Sequence, residues 1–181
     1  MSVQTRYTDT YDRGSPGQIF NASSIDGNAV FSAYASTDVF VGRAVTYASA
    51  TEQQNYAEGR AVANVDGVAV AEEIAGIITT DVTALVTQND EAYVSEKRMC
   101  TFARADRHAL IYVEADPAIA PIAPGDDVWV VVAAVNTPNL QIGQFTNTAG
   151  AGAAVGMLQL PWKFFKGNDA GKTAVIDLTN V

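Results

Sequence analysis

Apolar and polar residues alternate with a period of two over much of the chain, and the clearest run lies at residues 97–135. Cys100 and Phe102 share one face of a first arm whose other face carries Met99, Thr101 and Ala103. A second arm sets Ala109, Ile111 and Val113 against His108, Leu110 and Tyr112. This period, with β-branched and aromatic residues on both arms, marks strands. Residues 104–107, Arg-Ala-Asp-Arg, read as a hairpin tip in which Asp106 offsets two facing cations. Pro117, Pro121 and Pro124 exclude a helix or a central strand from residues 115–124. A turn at Gly125-Asp126-Asp127 then launches residues 128–135, which are apolar on both faces. Such a strand belongs at the centre of a barrel or sandwich.

The remaining elements are shorter. In residues 39–47, Val39, Val41, Arg43 and Val45 fall on one face, with Phe40, Gly42, Ala44 and Thr46 on the other. Residues 49–59 form a polar interruption; Ser49 and Glu52 have capping-box spacing, but the segment reads rather as a loop. Residues 60–65 and 68–71 flank Asp66-Gly67, a favoured hairpin turn. Residues 73–79 are strand-like, and residues 81–86 fit a strand or a short helix. Residues 140–146, 156–160, 162–166 and 172–178 complete the pattern, with a Gly/Ala-rich loop at 147–154 and a turn at 167–171. The roughly ten strands and regular turns predict an all-β fold, an antiparallel β-barrel or jelly-roll-like sandwich, over residues 38–181. Phe102, Ile111, Val113, Val130 and Val132 are its expected core.

Residues 1–37 differ. They are rich in small and polar residues, with Arg6, Tyr7, Tyr11 and Arg13 interleaved and no sustained period before Val39. They bury too little to offset their ordering entropy and read as an extended N-terminal arm. Tyr and Arg anchor interfaces, so Arg6, Tyr7, Tyr11 and Arg13 are the candidate partner-binding residues.

Composition narrows the function. The chain has 181 residues, enough to bury a core without staples. Its net charge is −9, all of it in residues 38–160, while residues 1–37 carry −1 and residues 161–181 carry +1. An acidic body repels phosphate backbones, so no direct nucleic-acid binding is expected. No apolar run is long enough for a membrane span, the first residues lack a signal peptide, and Cys100 is the single cysteine. Synthesis in a reducing cytoplasm is expected, with Cys100 as a core residue.

Chemistry-bearing motifs fail on inspection. The KGNDAGKT stretch at 166–173 has one residue too few for a phosphate-binding loop and is followed by β-patterned residues, so it reads as a hairpin turn. Gly150, Gly152 and Gly156 lack the βαβ context of a dinucleotide site. His108 is the only histidine and fits a structural or surface place. Glu72-Glu73 and Asp126-Asp127 point to opposite strand faces and make no acid/base couple. Asp116, Asp126 and Asp127 could gather around a surface calcium only if the Pro-rich turn folds back. Trp162 and Phe164 share an inward face. Catalytic residues, metal ligands and cofactors are all expected to be absent.

The order of features resembles the structural cement, or head decoration, proteins of tailed bacteriophages. The likeness runs through QTRYTDTYDRGSPGQIFN, VFVGRAV, IAGIIT, EAYVSEKRMCTFARADRHALIYVEAD, IAPGDDVWVV and PWKFFKGNDAGKTAVIDL, with residues 49–59 and 147–156 as departures. The resemblance implies a non-enzymatic protein without cofactors on the capsid exterior of the virion. It would bind the outer surface of the major capsid protein lattice and stabilise the phage head as a homodimer or homotrimer. The alternatives are another virion component of tail or neck and, more weakly, a carbohydrate-binding β-barrel module.

Overall fold

A computed structural model describes residues 14–20, 29–54, 60–80, 84–86, 91–116, 121–133, 140–147, 156–167 and 173–178. In the first half the strands are β1 (Val30–Ala35), β2 (Val39–Phe40), β3 (Ala44–Tyr47), β4 (Ala61–Asn64), β5 (Ile74–Ile78), β6 (Leu85–Val86) and β7 (Ala92–Val94). The second half adds β8 (Met99–Arg104), β9 (Leu110–Glu114), β10 (Asp127–Val131), β11 (Phe145–Thr146), β12 (Met157–Lys166) and β13 (Thr173–Asp177). The fold is all-β, as the alternation predicts.

Five strands close a barrel in the order β1-β4-β3-β5-β8, with β1 and β4 parallel and the other pairs antiparallel. A five-stranded antiparallel sheet, β11-β10-β12-β13-β9, packs beside it, and β2-β7-β6 form a small third sheet. Cys100, Phe102, Val45, Val62 and Ile78 share one core cluster with Val39 and Val94 of the small sheet. Ala44, Ile74, Ile77 and Ala103 of the barrel belong to a second cluster with Ile111, Val130, Phe145, Phe164 and Ile176 of the large sheet. β5 serves both clusters and is buried along its whole length. At Gly76 an added Cβ would lie 1.9 Å from the Ala103 carbonyl oxygen, so only glycine lets β5 and β8 approach there. Phe102, Ile111, Val113, Val130 and Val132 are all buried.

Pairing differs from the sequence expectation in several places. β8 and β9 are not a hairpin: β8 pairs with β1 and β5, and β9 pairs with β13. The Arg104 and Ala105 amides still donate to Ala29 and Ala75, so the chain stays bonded to the barrel through the turn and then crosses to the sheet. Arg104 pairs with Asp106 within the turn. The Asp66-Gly67 turn forms, yet no return strand follows. Its Gly67 amide donates to Val132, just past the end of β10, and a 3₁₀ turn, Ala71–Glu73, leads into β5. Residues 39–47 break into β2 and β3 at Gly42, whose φ is +78°. The capping box of Ser49 and Glu52 is made, starting the one-turn helix α1 (Ala50–Gln53) where the sequence favoured a loop. The central strand of the large sheet is β12, with β10 one place toward the edge. β1 lies inside the segment read as the arm. Its inward residues are Ala33 and Ala35, too small and too weakly β-forming to announce a strand.

Candidate partner-binding surface

The four candidate binding residues, Arg6, Tyr7, Tyr11 and Arg13, lie outside the described residues. The chain that follows them is well placed. The Gly17 amide donates to the Tyr112 carbonyl (2.7 Å), the Tyr112 amide to Gln18 (2.8 Å) and the Phe20 amide to Leu110 (2.9 Å). With the Ile19–Ile111 bridge, residues 17–20 extend the large sheet beyond its edge strand β9. The same segment holds the barrel. Gly17 accepts from the Thr80 amide at 2.9 Å, and Pro16 lies so close to Gly42 that a Cβ there would meet it at 2.4 Å. Residues 14–20 therefore strap the barrel to the sheet.

The strap creates an aromatic ridge. The Phe20 ring packs on Tyr112 at 5.5 Å and meets Phe165 edge-on at 5.5 Å. Leu110 and Val175 lie buried with Tyr112 beneath it. Trp162 and Phe164 do face inward, as the alternation of β12 requires, and Phe165 is left half exposed.

The strongest polar site is buried. Arg43, 3% exposed, donates from Nε to Glu114 Oε2 at 2.6 Å and from Nη2 to Glu91 Oε1 at 2.7 Å. Its guanidinium sits 4.3 Å from the centre of the Phe40 ring. Gln144 donates to the other oxygen of Glu114 and accepts from the Gln141 amide at 2.7 Å. The cluster ties together the Gly42 turn, the residue before β7, the end of β9 and the loop before β11. Both carboxylates are engaged by one cation, so the arrangement is a lock rather than an acid/base pair. The sequence carried a signal: Arg43 is the one charge on the apolar face of Val39, Val41 and Val45.

Other candidates resolve structurally. Cys100 is buried and lies 3.5 Å from the Ala33 carbonyl oxygen. His108 lies 3.4 Å from Asp177, half exposed. The KGNDAGKT stretch joins the paired strands β12 and β13, as a hairpin turn should, with residues 168–172 outside the described set. The carboxyl of Asp126 is held below the ordinary Asp value, first by the Ala123 amide and then by the Asn147 side chain and Lys163. Asp127 pairs with Lys163 at 2.5 Å. Among the described residues, no group of three or more His, Cys, Asp or Glu side chains is placed to hold a metal ion, and no helix is long and apolar enough to cross a membrane. An open cleft of about 920 Å³ lies where Tyr47, Ile74, Arg104, Leu160 and Trp162 converge.

No curated protein matches the chain. A solved structure, the head fiber gp8.5 N base of bacteriophage phi29, aligns with a TM-score of 0.45 at 11% identity, covering 83% of this chain and 93% of that one. The family described as structural cement protein (E217 gp24/Pam3 gp6) matches residues 3–179, through barrel, sheet and strap alike. The chain therefore belongs to the structural cement protein family of phage virions.

Proposed function

We propose that this virion structural protein binds the outer surface of the major capsid protein lattice and cements the phage head. The observation that carries the reading is the family match over residues 3–179. The chain works without catalysis or cofactor, is made in the host cytoplasm and self-associates as a homodimer or homotrimer. It has no direct contact with nucleic acid or membrane. The strap supports a division of labour. Residues 14–20 fix the start of the arm on a rigid sheet edge, and Arg6, Tyr7, Tyr11 and Arg13 upstream engage the capsid.

Expanded heads lacking the protein provide the test. Added chain is expected to saturate the heads at hundreds of copies and to raise their resistance to heat and chelator. A handful of copies per particle would instead assign the chain to tail or neck. No sedimentation with heads at all would overturn the reading.

A further inference from the structure

Phe165 stands out from the large sheet at 48% exposure, with Phe20 against its edge and Tyr112 behind Phe20. Both ends of this ridge are fixed by backbone. Phe20 is bonded to the edge of β9, and Phe165 sits at a bulge of β12, held between Phe164, opposite Ile176, and Lys166, opposite Val175. Large rings offered from a rigid backbone lose little entropy on docking.

The chain carries −9, yet beside the ridge Lys163 on β12 stands opposite Asp127 and Asp177 on the flanking strands and pairs with Asp127, while Lys166, opposite Val175, adds a second cation to the two aspartates. The face has no surplus of negative charge and can close on a neutral surface at little desolvation cost. Position adds a third argument. Gly14 lies against the Tyr112 ring, so that a Cβ there would meet it at 2.1 Å, and 13 residues precede Gly14. Gly14, where the described chain begins, thus lies at the ridge.

We infer that the Phe20–Phe165 ridge is the face of the folded body that seats on the head, with the Phe165 ring entering an apolar recess of the capsid protein. This rests on the proposed function. The probe is the full chain, titrated onto expanded heads lacking it, with Phe165→Ser, Phe165→Lys and Phe165→Tyr variants. Leu85→Ser and Met99→Ser serve as controls, since both residues are 51% exposed, on the small sheet and the barrel. Phe165→Ser is expected to weaken binding at least about tenfold and Phe165→Lys further, the size typical of a central aromatic anchor. Phe165→Tyr and the two controls are expected to bind like the unaltered chain, and Phe165→Ser to keep its melting temperature and oligomeric state.

Undiminished binding by Phe165→Ser and Phe165→Lys, with the unaltered chain bound, overturns the ridge alone. Failure of the unaltered chain to bind overturns the function on which it rests. A variant that dissociates an oligomer in solution assigns the ridge to a second copy of this chain and overturns its assignment to the capsid.

Discussion

Arg43 and Glu114 are joined at 2.6 Å across the junction of barrel and sheet, the first on the turn before β3 and the second at the end of β9. The Glu114 amide also donates to Gly42 at 3.0 Å, so backbone and side chain fasten the same two elements. A charge this deeply buried is tolerated only because Glu114, Glu91 and the Phe40 ring surround it.

Arg43→Ala is therefore expected to lower stability by about 3–5 kcal/mol, because it leaves two carboxylates facing each other without their cation. Arg43→Met combined with Glu91→Gln and Glu114→Gln should recover part of that loss by removing the stranded charges. Urea unfolding of the three proteins measures it. A triple variant no better than Arg43→Ala would show that the guanidinium matters through packing alone.

Val130 is completely buried between the barrel and the large sheet. Val130→Asp places an unpaired carboxylate there and is expected to abolish soluble folding, a cost of more than about 4 kcal/mol. Gly76→Ala is expected to be destabilising by a different route, since its Cβ collides with the backbone of β8. Expression level and near-ultraviolet dichroism check both. A well-folded Gly76→Ala protein would mean that β5 can slide away from β8.

Much of this architecture is legible in the sequence, and the reason for the rest is specific. Alternation tells which residues share a face, so the burial of Phe102, Ile111, Val130 and Phe164 can be read directly. Alternation does not tell which strand lies alongside. Residues 99–113 have the same pattern whether β8 and β9 fold back on each other or cross to different sheets, and hydrogen bonds from the turn to Ala29 and Ala75 decide it. Arg43 finds its carboxylates 48 and 71 residues away, beyond any local spacing rule. The strap is hidden for a similar reason. Residues 14–20 look polar and patternless because they need only a free sheet edge and one aromatic contact.

Asp126 gives an acid-limb prediction. Its Oδ2 accepts from the Ala123 amide at 2.9 Å and from the Asn147 side chain at 3.0 Å, and these bonds favour the ionised form. A folded-state pKa below the unfolded value means that the carboxylate stabilises the fold above about pH 4. That contribution is lost as the pH falls through the lower folded-state value. Asp126→Asn should thus be less stable than the unaltered chain at pH 7, with the gap closing in the acid limb. Unfolding curves at pH 7 and pH 2.5 compare the two. An equal gap at both would exclude protonation as the cause.

Truncation separates the strap from the arm upstream of it. Deleting residues 2–13 keeps residues 14–20 and their backbone bonds to Leu110 and Tyr112, so stability is expected to change by less than about 0.5 kcal/mol. Deleting residues 2–20 takes away the backbone bonds to Leu110 and Tyr112 and uncovers the apolar surface that Phe20 covers. That loss should reach about 2–4 kcal/mol, from exposed apolar area and from stranded edge amides together. Head binding should respond in a different order. The shorter deletion already removes Arg6, Tyr7, Tyr11 and Arg13, the proposed second point of attachment, which on a lattice would multiply affinity. Occupancy at low protein concentration should fall although the body stays folded. If the chain lacking residues 2–13 binds heads as tightly as the full chain, those four residues play no part in docking, and the ridge and its neighbours must carry the contact alone.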